Sequence, residues 1–275
     1  MRICATGTDG YVGAHLTALA RDTLPLGRGS GDVTTLGPRI EDARPNAVIH
    51  LAAMSSIADC AADPDEARRV NVEGTRAVAR AASAVGARFV FVSTDQVFDG
   101  TSPPYRESDA PTPISLYGET KAEAEAIVRD EGGENVLVVR LHLVVGPSAR
   151  PDRPSGTDRL VEAVRRGESP RLFVDEFRSA IHVGDVARTL IALAGHRRTG
   201  VLHLGGPERL SRLEIGRIVV AAAGLDPDRI LPGSLRDYAG PPRTPDTTFD
   251  VSLLRRTLAT PVRSLAAAFT PGSTG

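Results

Sequence analysis

Tyr117 and Lys121 have the residue types and the spacing that acid–base chemistry at a carbonyl or an alcohol requires. The run after Lys121 consists of good helix formers, so both side chains are predicted to lie on one face of a helix. A neighbouring ammonium favours the phenolate and lowers the phenol pKa from about 10 toward neutrality. A solvated surface pair has the same spacing, so the surrounding elements must decide between the two interpretations.

A glycine-rich turn near the N-terminus predicts a dinucleotide site. An apolar, strand-like run over residues 3–5 precedes three glycines in G-x-x-G-x-x-G spacing, and a helical pattern follows them. Glycines allow a tight turn and a close approach of backbone to pyrophosphate, and the helix N-terminus attracts an anion. An ordinary strand-to-helix turn is the alternative. The expected cofactor contacts are Gly7, Gly10, Tyr11, Val12 and Gly13.

The end of the short, poorly marked second strand, near residues 23–26, indicates the type of cofactor. An acidic residue at this place would bind a ribose 2'-hydroxyl, whereas Arg28 suits a 2'-phosphate. We therefore expect NADP(H) to be preferred, with NAD(H) as the alternative. A solvated loop arginine is the competing interpretation of Arg28. Asp32 and Val33 follow as candidates for an adenine or ribose contact.

Two further segments are expected to border the cofactor. The apolar run over residues 47–53 predicts a buried parallel strand in which His50 packs, with small residues at its end. A helix predicted from Asp63 to about Ser83 contains Asn71, a costly residue in a helix interior, which favours either a close contact or simple packing there. The expected contacts are Leu51, Ala52, Ala53 and Asn71.

A hydroxyl cluster follows the next buried strand, predicted over residues 88–93. Ser93 and Thr94 would lie at the carboxyl edge of the sheet, where open α/β sheets bind ligands. Thr94 either donates a hydrogen bond to a substrate carbonyl or caps a local turn.

The composition limits the classes of function. The chain has 275 residues with 33 Lys plus Arg and 34 Asp plus Glu, and a formal charge of -1 gives no field that recruits nucleic acid or an anionic membrane. Cys4 and Cys60 are too few for a disulfide framework, so we expect reduced thiols and a cytoplasmic protein. No signal peptide, membrane span or metal site is expected.

Taken together, five segments in order resemble the extended short-chain dehydrogenase/reductase superfamily. The resemblance covers roughly residues 1–205 and is closest to dTDP-4-dehydrorhamnose reductase and its relatives, whose Ser-Thr-Asp-Tyr-Val-Phe-Asp-Gly pattern is matched except at Gln96. The segments are Gly7/Gly10/Gly13, Leu51-Ala52-Ala53, residues 71–75, residues 93–100 and residues 117–121.

The resemblance implies a catalytic triad of Thr94, Tyr117 and Lys121. Tyr117 would protonate the carbonyl oxygen as hydride arrives from the nicotinamide, Thr94 would polarise that oxygen, and Lys121 would hold the nicotinamide ribose. It also implies cofactor contacts from Ser93 and from Leu143, in a loop that resembles the one over the nicotinamide.

Substrate contacts are expected from Asp95, Gln96 and Arg178. An arginine at position 178 suits a diphosphate, and an ion pair with Asp185 or Glu176 is the competing account. By the same resemblance, Gln96 occupies the position at which the related dehydratases have Glu. An amide cannot ionise, so Gln96 cannot act as the base in an elimination. Ketone reduction remains, with the substrate's identity open.

The predicted fold is a doubly wound α/β Rossmann-type parallel sheet with a small C-terminal substrate-binding lobe. Residues 1–150 and 177–205 form the expected nucleotide-binding domain, and residues 151–176 and 206–275 form the lobe. The expected function is NADPH-dependent reduction of a keto group, foremost the 4-keto group of a nucleotide-activated deoxysugar. The alternatives are a reductase or epimerase of another ketone, or a non-catalytic regulatory subunit such as that of methionine adenosyltransferase. A homodimer stays open.

Overall fold

The computed structural model describes residues 1–270 and contains a six-stranded sheet flanked by helices. In chain order the strands are β1 (Ile3–Thr6), β2 (Leu24–Leu26), β3 (Ala47–His50), β4 (Arg88–Thr94), β5 (Val136–Leu141), β6 (Val144–Val145), β7 (Arg171–Phe173), β8 (Phe177–Arg178), β9 (Ile181–His182), β10 (Gly200–Leu204), β11 (Leu210–Ser211) and β12 (Leu231–Gly233). The order across the large sheet is β10-β5-β4-β3-β1-β2.

Helices fill most of the connections between the strands. The α-helices are α1 (Tyr11–Leu19), α2 (Gly37–Ala43), α3 (Ile57–Ala62), α4 (Pro64–Arg68), α5 (Gly74–Ala84), α6 (Leu116–Glu131), α7 (Gly156–Arg165), α8 (Val183–Ala194), α9 (Arg212–Ala222), α10 (Ser252–Thr257) and α11 (Leu265–Phe269). A π-helical segment, Arg69–Glu73, joins α4 to α5, so the single long helix predicted from Asp63 is present with an irregular centre. None of the helices within residues 1–270 is long and apolar enough to cross a bilayer.

The strands that follow β1 are added first on one side of β1 and then on the other, which confirms the predicted doubly wound fold. β1 pairs in parallel with β2 on one side and with β3 on the other, and β4 and β5 extend the sheet beyond β3. Because the chain leaves β1 toward opposite edges of the sheet, the carboxyl end of β1 is a topological switch point. The glycine turn after β1 therefore lies at the switch point where such folds bind ligands.

The core of the large sheet consists of apolar side chains packed between the strands and the helices α2, α5 and α6. Phe89 and Phe91 of β4 are fully buried, and Val78 and Val128 pack on the same cluster from α5 and α6. A core of this kind holds the ends of the strands in fixed positions, which is what a site built on those ends needs.

The described chain divides into two compact units. Unit 1 carries most of the large sheet, and unit 2 carries three two-stranded sheets, β8 with β11, β7 with β12 and β6 with β9. Residues 142–150 and 177–186, which the sequence assigned to the nucleotide-binding domain, supply strands of the small sheets of unit 2. Unit 1 comprises Met1–Phe98, Glu107–Leu141 and Ala187–Leu202, and unit 2 comprises Asp99–Arg106, His142–Val186 and His203–Gly275.

Candidate active site

Helix α6 carries both Tyr117 and Lys121, as their spacing predicted. The Ser115 side chain caps the helix by accepting a hydrogen bond from the Gly118 N–H at 3.2 Å. A Cβ at Gly118 would overlap the carbonyl oxygen of Gln96. Only glycine lets the first turn of α6 approach the turn that follows β4 so closely. This contact fixes the place of Tyr117 relative to the end of β4.

Thr94 ends β4 and lies against Tyr117. Its hydroxyl accepts the Gln96 N–H at 3.2 Å and so caps the short 3-10 helix Asp95–Val97. It also forms a side-chain hydrogen bond with the Tyr117 phenol. The capping alternative considered for Thr94 therefore holds, and the same hydroxyl contacts the predicted proton donor.

The pKa of Tyr117 is raised, not lowered as the spacing with Lys121 predicted. Burial of the phenol is the largest cause, the hydrogen bond from Thr94 lowers the pKa, and negative charge on Asp95 or Cys60 would raise it further. Lys121 is not among the charges that act on the phenol. Tyr117 therefore keeps its proton at neutral pH, which suits the donor in a reduction.

Lys121 is buried and only 2% exposed. Its Nζ donates a hydrogen bond to the Val92 carbonyl oxygen at 2.8 Å and lies 4.1 Å from the centre of the Phe91 ring. Burial lowers the pKa of Lys121 to about 7, and the negative charge of Glu125 opposes this shift. Lys121 is the only lysine in the sequence, whose remaining cationic side chains are arginines.

Asp95 and Gln96, the two predicted substrate contacts after β4, bond to each other. The Gln96 amide donates to Asp95 Oδ2 at 2.9 Å, and the Asp95 carboxylate is 6% exposed. A glutamate in place of Gln96 would set two carboxylates against each other, whereas the amide holds Asp95 in one orientation.

The predicted glycine turn forms a cradle between β1 and α1. Gly7 has a φ of +69°, and a Cβ at Gly7 would overlap the backbone of Ala52, while one at Gly13 would overlap the backbone of Gly7. Gly10 is the N-cap of α1 and makes no side-chain cap hydrogen bond to the first turn, which holds Tyr11 and Val12. This geometry fits a pyrophosphate bound at a helix N-terminus.

The small residues after β3 form the wall of this cradle. The Thr6 hydroxyl accepts hydrogen bonds from the Leu51 and Ala52 N–H groups, both at 3.2 Å, and bonds to His50 at 2.6 Å. His50 is fully buried, as predicted, and burial lowers its pKa to about 3. Ala53 follows, partly buried.

Arg28 lies just beyond β2, exposed, and no ion pair involves its guanidinium within the described chain. Its backbone N–H donates to the Asp9 carboxylate at 2.6 Å. Asp32 is engaged elsewhere: it caps the turn at Thr34 and pairs with Arg69 at 2.7 Å, and its pKa is lowered to about 2 by these bonds, with Thr34 first. Asp32 is therefore a weaker candidate for a ribose contact than the sequence suggested.

Three other predicted cofactor residues have structural partners. Asn71, in the π-helical segment, accepts from the Met54 N–H at 2.8 Å and donates to the Met54 carbonyl and the Thr120 hydroxyl, both at 3.0 Å. Ser93 donates to Glu125 at 2.6 Å, and Val33 packs against Gly74. These three residues shape the site through their neighbours.

The remaining two predicted residues belong to unit 2. Leu143 packs on a small apolar cluster that includes Val145. Arg178 is 5% exposed and donates to Glu176 at 2.8 Å and to the Thr244 carbonyl at 3.0 Å. Of the two accounts of Arg178, the structure favours the ion pair with Glu176, because a buried guanidinium already bonded to a carboxylate is poorly placed for a diphosphate.

The sequence analysis did not single out two charged residues, Arg39 and Glu125. Arg39 on α2 donates to the Ser30 carbonyl at 3.0 Å, which places a second guanidinium near the Arg28 loop. Glu125 continues the four-residue spacing of Tyr117 and Lys121 and is fully buried. The spacing was the available signal for Glu125. No group of His, Cys, Asp and Glu side chains in residues 1–270 is arranged to hold a metal ion.

The switch-point glycine cradle and the Thr94, Tyr117 and Lys121 cluster at the end of β4 define a Rossmann-type protein of the extended short-chain dehydrogenase/reductase class, as the resemblance predicted. The chain belongs to the RmlD substrate binding domain family, which matches residues 1–270.

Several known proteins are similar to the chain. It is 31% identical over 220 residues to methionine adenosyltransferase 2 subunit beta of Bos taurus, covering 78% of this chain and 66%, just under two thirds, of that subunit. It is 30% identical over 268 residues to dTDP-4-dehydrorhamnose reductase of Burkholderia thailandensis, covering 89% and 88% of the two chains. The structure of a dTDP-4-dehydrorhamnose reductase from Bacillus anthracis in complex with NADP shares the fold, with a TM-score of 0.89, 24% identity and coverage of 98% and 96%.

Proposed function

We propose that the protein is an NADPH-dependent reductase of a keto group on a nucleotide-activated sugar, foremost the 4-keto group of a deoxysugar. The observation that carries this proposal is the bonded pair of Thr94 and Tyr117 at the carboxyl end of β4, with the buried Lys121 one turn along α6. The similarity to a reductase that spans almost the whole chain supports the substrate class.

Bound NADPH would supply a hydride to the carbonyl carbon. Tyr117 donates the proton to the carbonyl oxygen, and its raised pKa ensures that the phenol carries a proton at neutral pH. Thr94, hydrogen-bonded to that phenol, donates to the same oxygen and polarises the carbonyl. Lys121 would hold the nicotinamide ribose.

The remaining residues would bind and select the cofactor. Gly7, Gly10 and Gly13 accommodate the pyrophosphate in a cradle that side chains would fill. Arg28 would bind the 2'-phosphate, with Arg39 nearby, and this favours NADPH over NADH.

Elimination chemistry is disfavoured by the Asp95 and Gln96 pair. A dehydratase needs an acid and a base next to the sugar, and Gln96 cannot ionise. Its amide instead holds Asp95 in place at 2.9 Å, where the carboxylate would orient a sugar hydroxyl. Reduction needs only the Tyr117 proton and the hydride.

A second candidate function is a non-catalytic, NADP-binding regulatory subunit. The similarity to methionine adenosyltransferase 2 subunit beta over 78% of the chain favours it. The complete cluster of Thr94, Tyr117 and Lys121 favours the reductase. The two functions share cofactor binding and differ in turnover.

The test measures NADPH and NADH binding by calorimetry, then NADPH oxidation with a panel of nucleotide-linked 4-keto-6-deoxysugars. We expect tight NADPH binding and turnover of at least one panel member. In Tyr117→Phe the rate should fall by at least about 100-fold, since general acid catalysis contributes that much, with the NADPH dissociation constant unchanged. Wild-type turnover in Tyr117→Phe would refute the proton donor. NADPH binding without turnover, together with stable capture of a methionine adenosyltransferase catalytic subunit, would support the regulatory function.

A further inference from the structure

Three successive residues at the end of β4 are each bonded to α6. Two of these contacts involve the proposed catalytic residues, and the third involves a carboxylate that the proposed reaction does not use. The pairs are Val92 with Lys121 at 2.8 Å, Ser93 with Glu125 at 2.6 Å, and Thr94 with Tyr117. Strand and helix are therefore fixed to each other at three consecutive positions.

Glu125 is the most completely enclosed of these side chains. It is fully buried, and Arg140 of β5 donates to its carboxylate through Nε at 3.0 Å and through Nη2 at 2.8 Å. Arg129 lies 3.8 Å away on the same helix. Arg140 is 1% exposed, and it sits directly opposite Ser93 in the β4–β5 register. One carboxylate thus bonds to both strands beneath the catalytic helix.

Stability alone is a poor explanation of this arrangement. Burying an ion pair costs desolvation energy on both partners, and well-packed apolar residues are often as stabilising. A buried pair does, however, fix geometry, because its hydrogen bonds form only in one register. The Glu125 contacts occur one turn after Lys121 and two turns after Tyr117, where register determines whether the proton donor meets Thr94.

We propose that Glu125, held by Ser93 and Arg140, is a positioning residue that sets the register of α6 on β4 and supplies a negative charge one helical turn from Lys121. The proposal rests on the proposed reductase function for its catalytic consequence. Its electrostatic part concerns Lys121 alone and does not depend on turnover.

The surroundings of Lys121 identify Glu125 as the charge that matters. From β3 the His50 ring interacts with the charge of Lys121 and stays neutral, because burial lowers its pKa to about 3. From β4 the Phe91 ring and the Val92 carbonyl contact the ammonium. On α6 itself, Tyr117 is protonated and Glu125 opposes the loss of the Lys121 proton.

The single lysine makes a direct measurement possible. Protein grown with 13C-labelled lysine gives one lysine signal, whose NMR titration reports Lys121 alone. We compare Glu125→Gln with Glu131→Gln, a matched control at the end of α6 whose carboxylate pairs with Arg76 at 3.1 Å and Arg80 at 2.6 Å. The midpoint of the Lys121 titration, the pH at which half of the amine is protonated, should move at least about one pH unit lower in Glu125→Gln. In the control this lysine midpoint should stay unchanged.

Binding and turnover give the second and third readouts. In Glu125→Gln the affinity for NADPH at pH about 7.5 should fall about fivefold and recover as the pH is lowered and Lys121 regains its proton. Recovery at low pH would not follow from a merely structural role. The rate of hydride transfer should fall at least about tenfold, with the control at the wild-type rate.

Two further variants keep the test decisive if Glu125→Gln does not fold. Ser93→Ala removes the hydrogen bond to Glu125 and leaves the ion pair, and should slow hydride transfer while the lysine midpoint stays in place. The double variant Glu125→Met with Arg140→Met leaves no lone buried charge, should fold, and should lower the midpoint.

A wild-type lysine midpoint in both Glu125→Gln and the double variant would overturn the electrostatic part. Wild-type hydride transfer in Ser93→Ala and in the folded Glu125 variants would overturn the positioning part. If the wild-type protein reduces no substrate, the reductase function fails, whereas the lysine titration and the NADPH affinities still decide the role of Glu125.

Discussion

Replacement of Lys121 by methionine should change stability with pH in a direction that the structure determines. The folded protein holds the lysine with a pKa of about 7, against an ordinary value of 10.5 in the unfolded chain. Between these values the unfolded chain binds one more proton than the folded protein. The free energy of unfolding of the wild type therefore rises with pH in this window, by linkage. Below it both states are protonated, and the wild type bears the full cost of a buried charge.

The magnitude follows from the width of the window. At about 1.4 kcal/mol per pH unit, the difference between 10.5 and about 7 corresponds to an upper limit of about 5 kcal/mol. Lys121→Met lacks this contribution. Its advantage in unfolding free energy over the wild type should be largest below pH about 7 and shrink by as much as about 5 kcal/mol toward pH 10.5. Loss of the hydrogen bond to Val92 adds a constant offset without changing the slope.

The assay is guanidinium unfolding followed by circular dichroism, at several pH values between about 6 and 9.5, for both proteins without cofactor. Cys4 and Cys60 have raised pKa values in both proteins, so their contributions cancel in the difference. Arg68→Met, which removes an exposed cation paired with Glu123, is the control and should run parallel to the wild type. Parallel curves for Lys121→Met and the wild type would refute the buried, shifted lysine.

Two further predictions concern binding and packing. In calorimetry, Arg28→Ala should weaken NADPH binding about tenfold and leave NADH binding unchanged, because a hydrogen-bonded ion pair to the 2'-phosphate is lost. Equal losses of affinity for both cofactors would contradict the role of Arg28 in selecting NADPH. Gly118→Ala should lower the free energy of unfolding by about 1–3 kcal/mol and slow turnover, because the added Cβ would overlap the Gln96 carbonyl. Gly156→Ala, which has open space around the added carbon, is the control and should leave stability unchanged. Equal stabilities of the two variants would refute the close approach of α6.

Local sequence patterns were sufficient for the large sheet and the helix that carries the site. Apolar runs separated by turns predicted the parallel strands, and the helix formers after Lys121 predicted α6, whose start is capped by Ser115 in the structure. Glycines 7, 10 and 13 were identifiable because a strand, a turn and a helix follow one another within the first residues of the chain. Each of these features depends on neighbours in sequence.

Charge and partner assignments depended on tertiary contacts and were harder to predict. The pKa of Tyr117 rises because the fold buries the phenol and brings Asp95 and Cys60 near it, whereas the sequence displayed only Lys121. Asn71 was expected to contact the cofactor, yet its amide bonds to Met54 and Thr120. A sequence reveals that a polar residue is out of place in a helix, and the fold determines what that residue bonds to.

The composition itself argues for the role of Lys121. Arginine supplies the other cationic side chains of the chain, so an arginine would be the ordinary choice at position 121. A guanidinium cannot lose its proton and needs several acceptors, whereas the pocket offers the Val92 carbonyl and the Phe91 ring. An ammonium fits this small, weakly polar space, and its pKa responds to burial and to Glu125. Position 121, which holds the one lysine of the sequence, therefore favours a compact cation whose pKa its surroundings can shift.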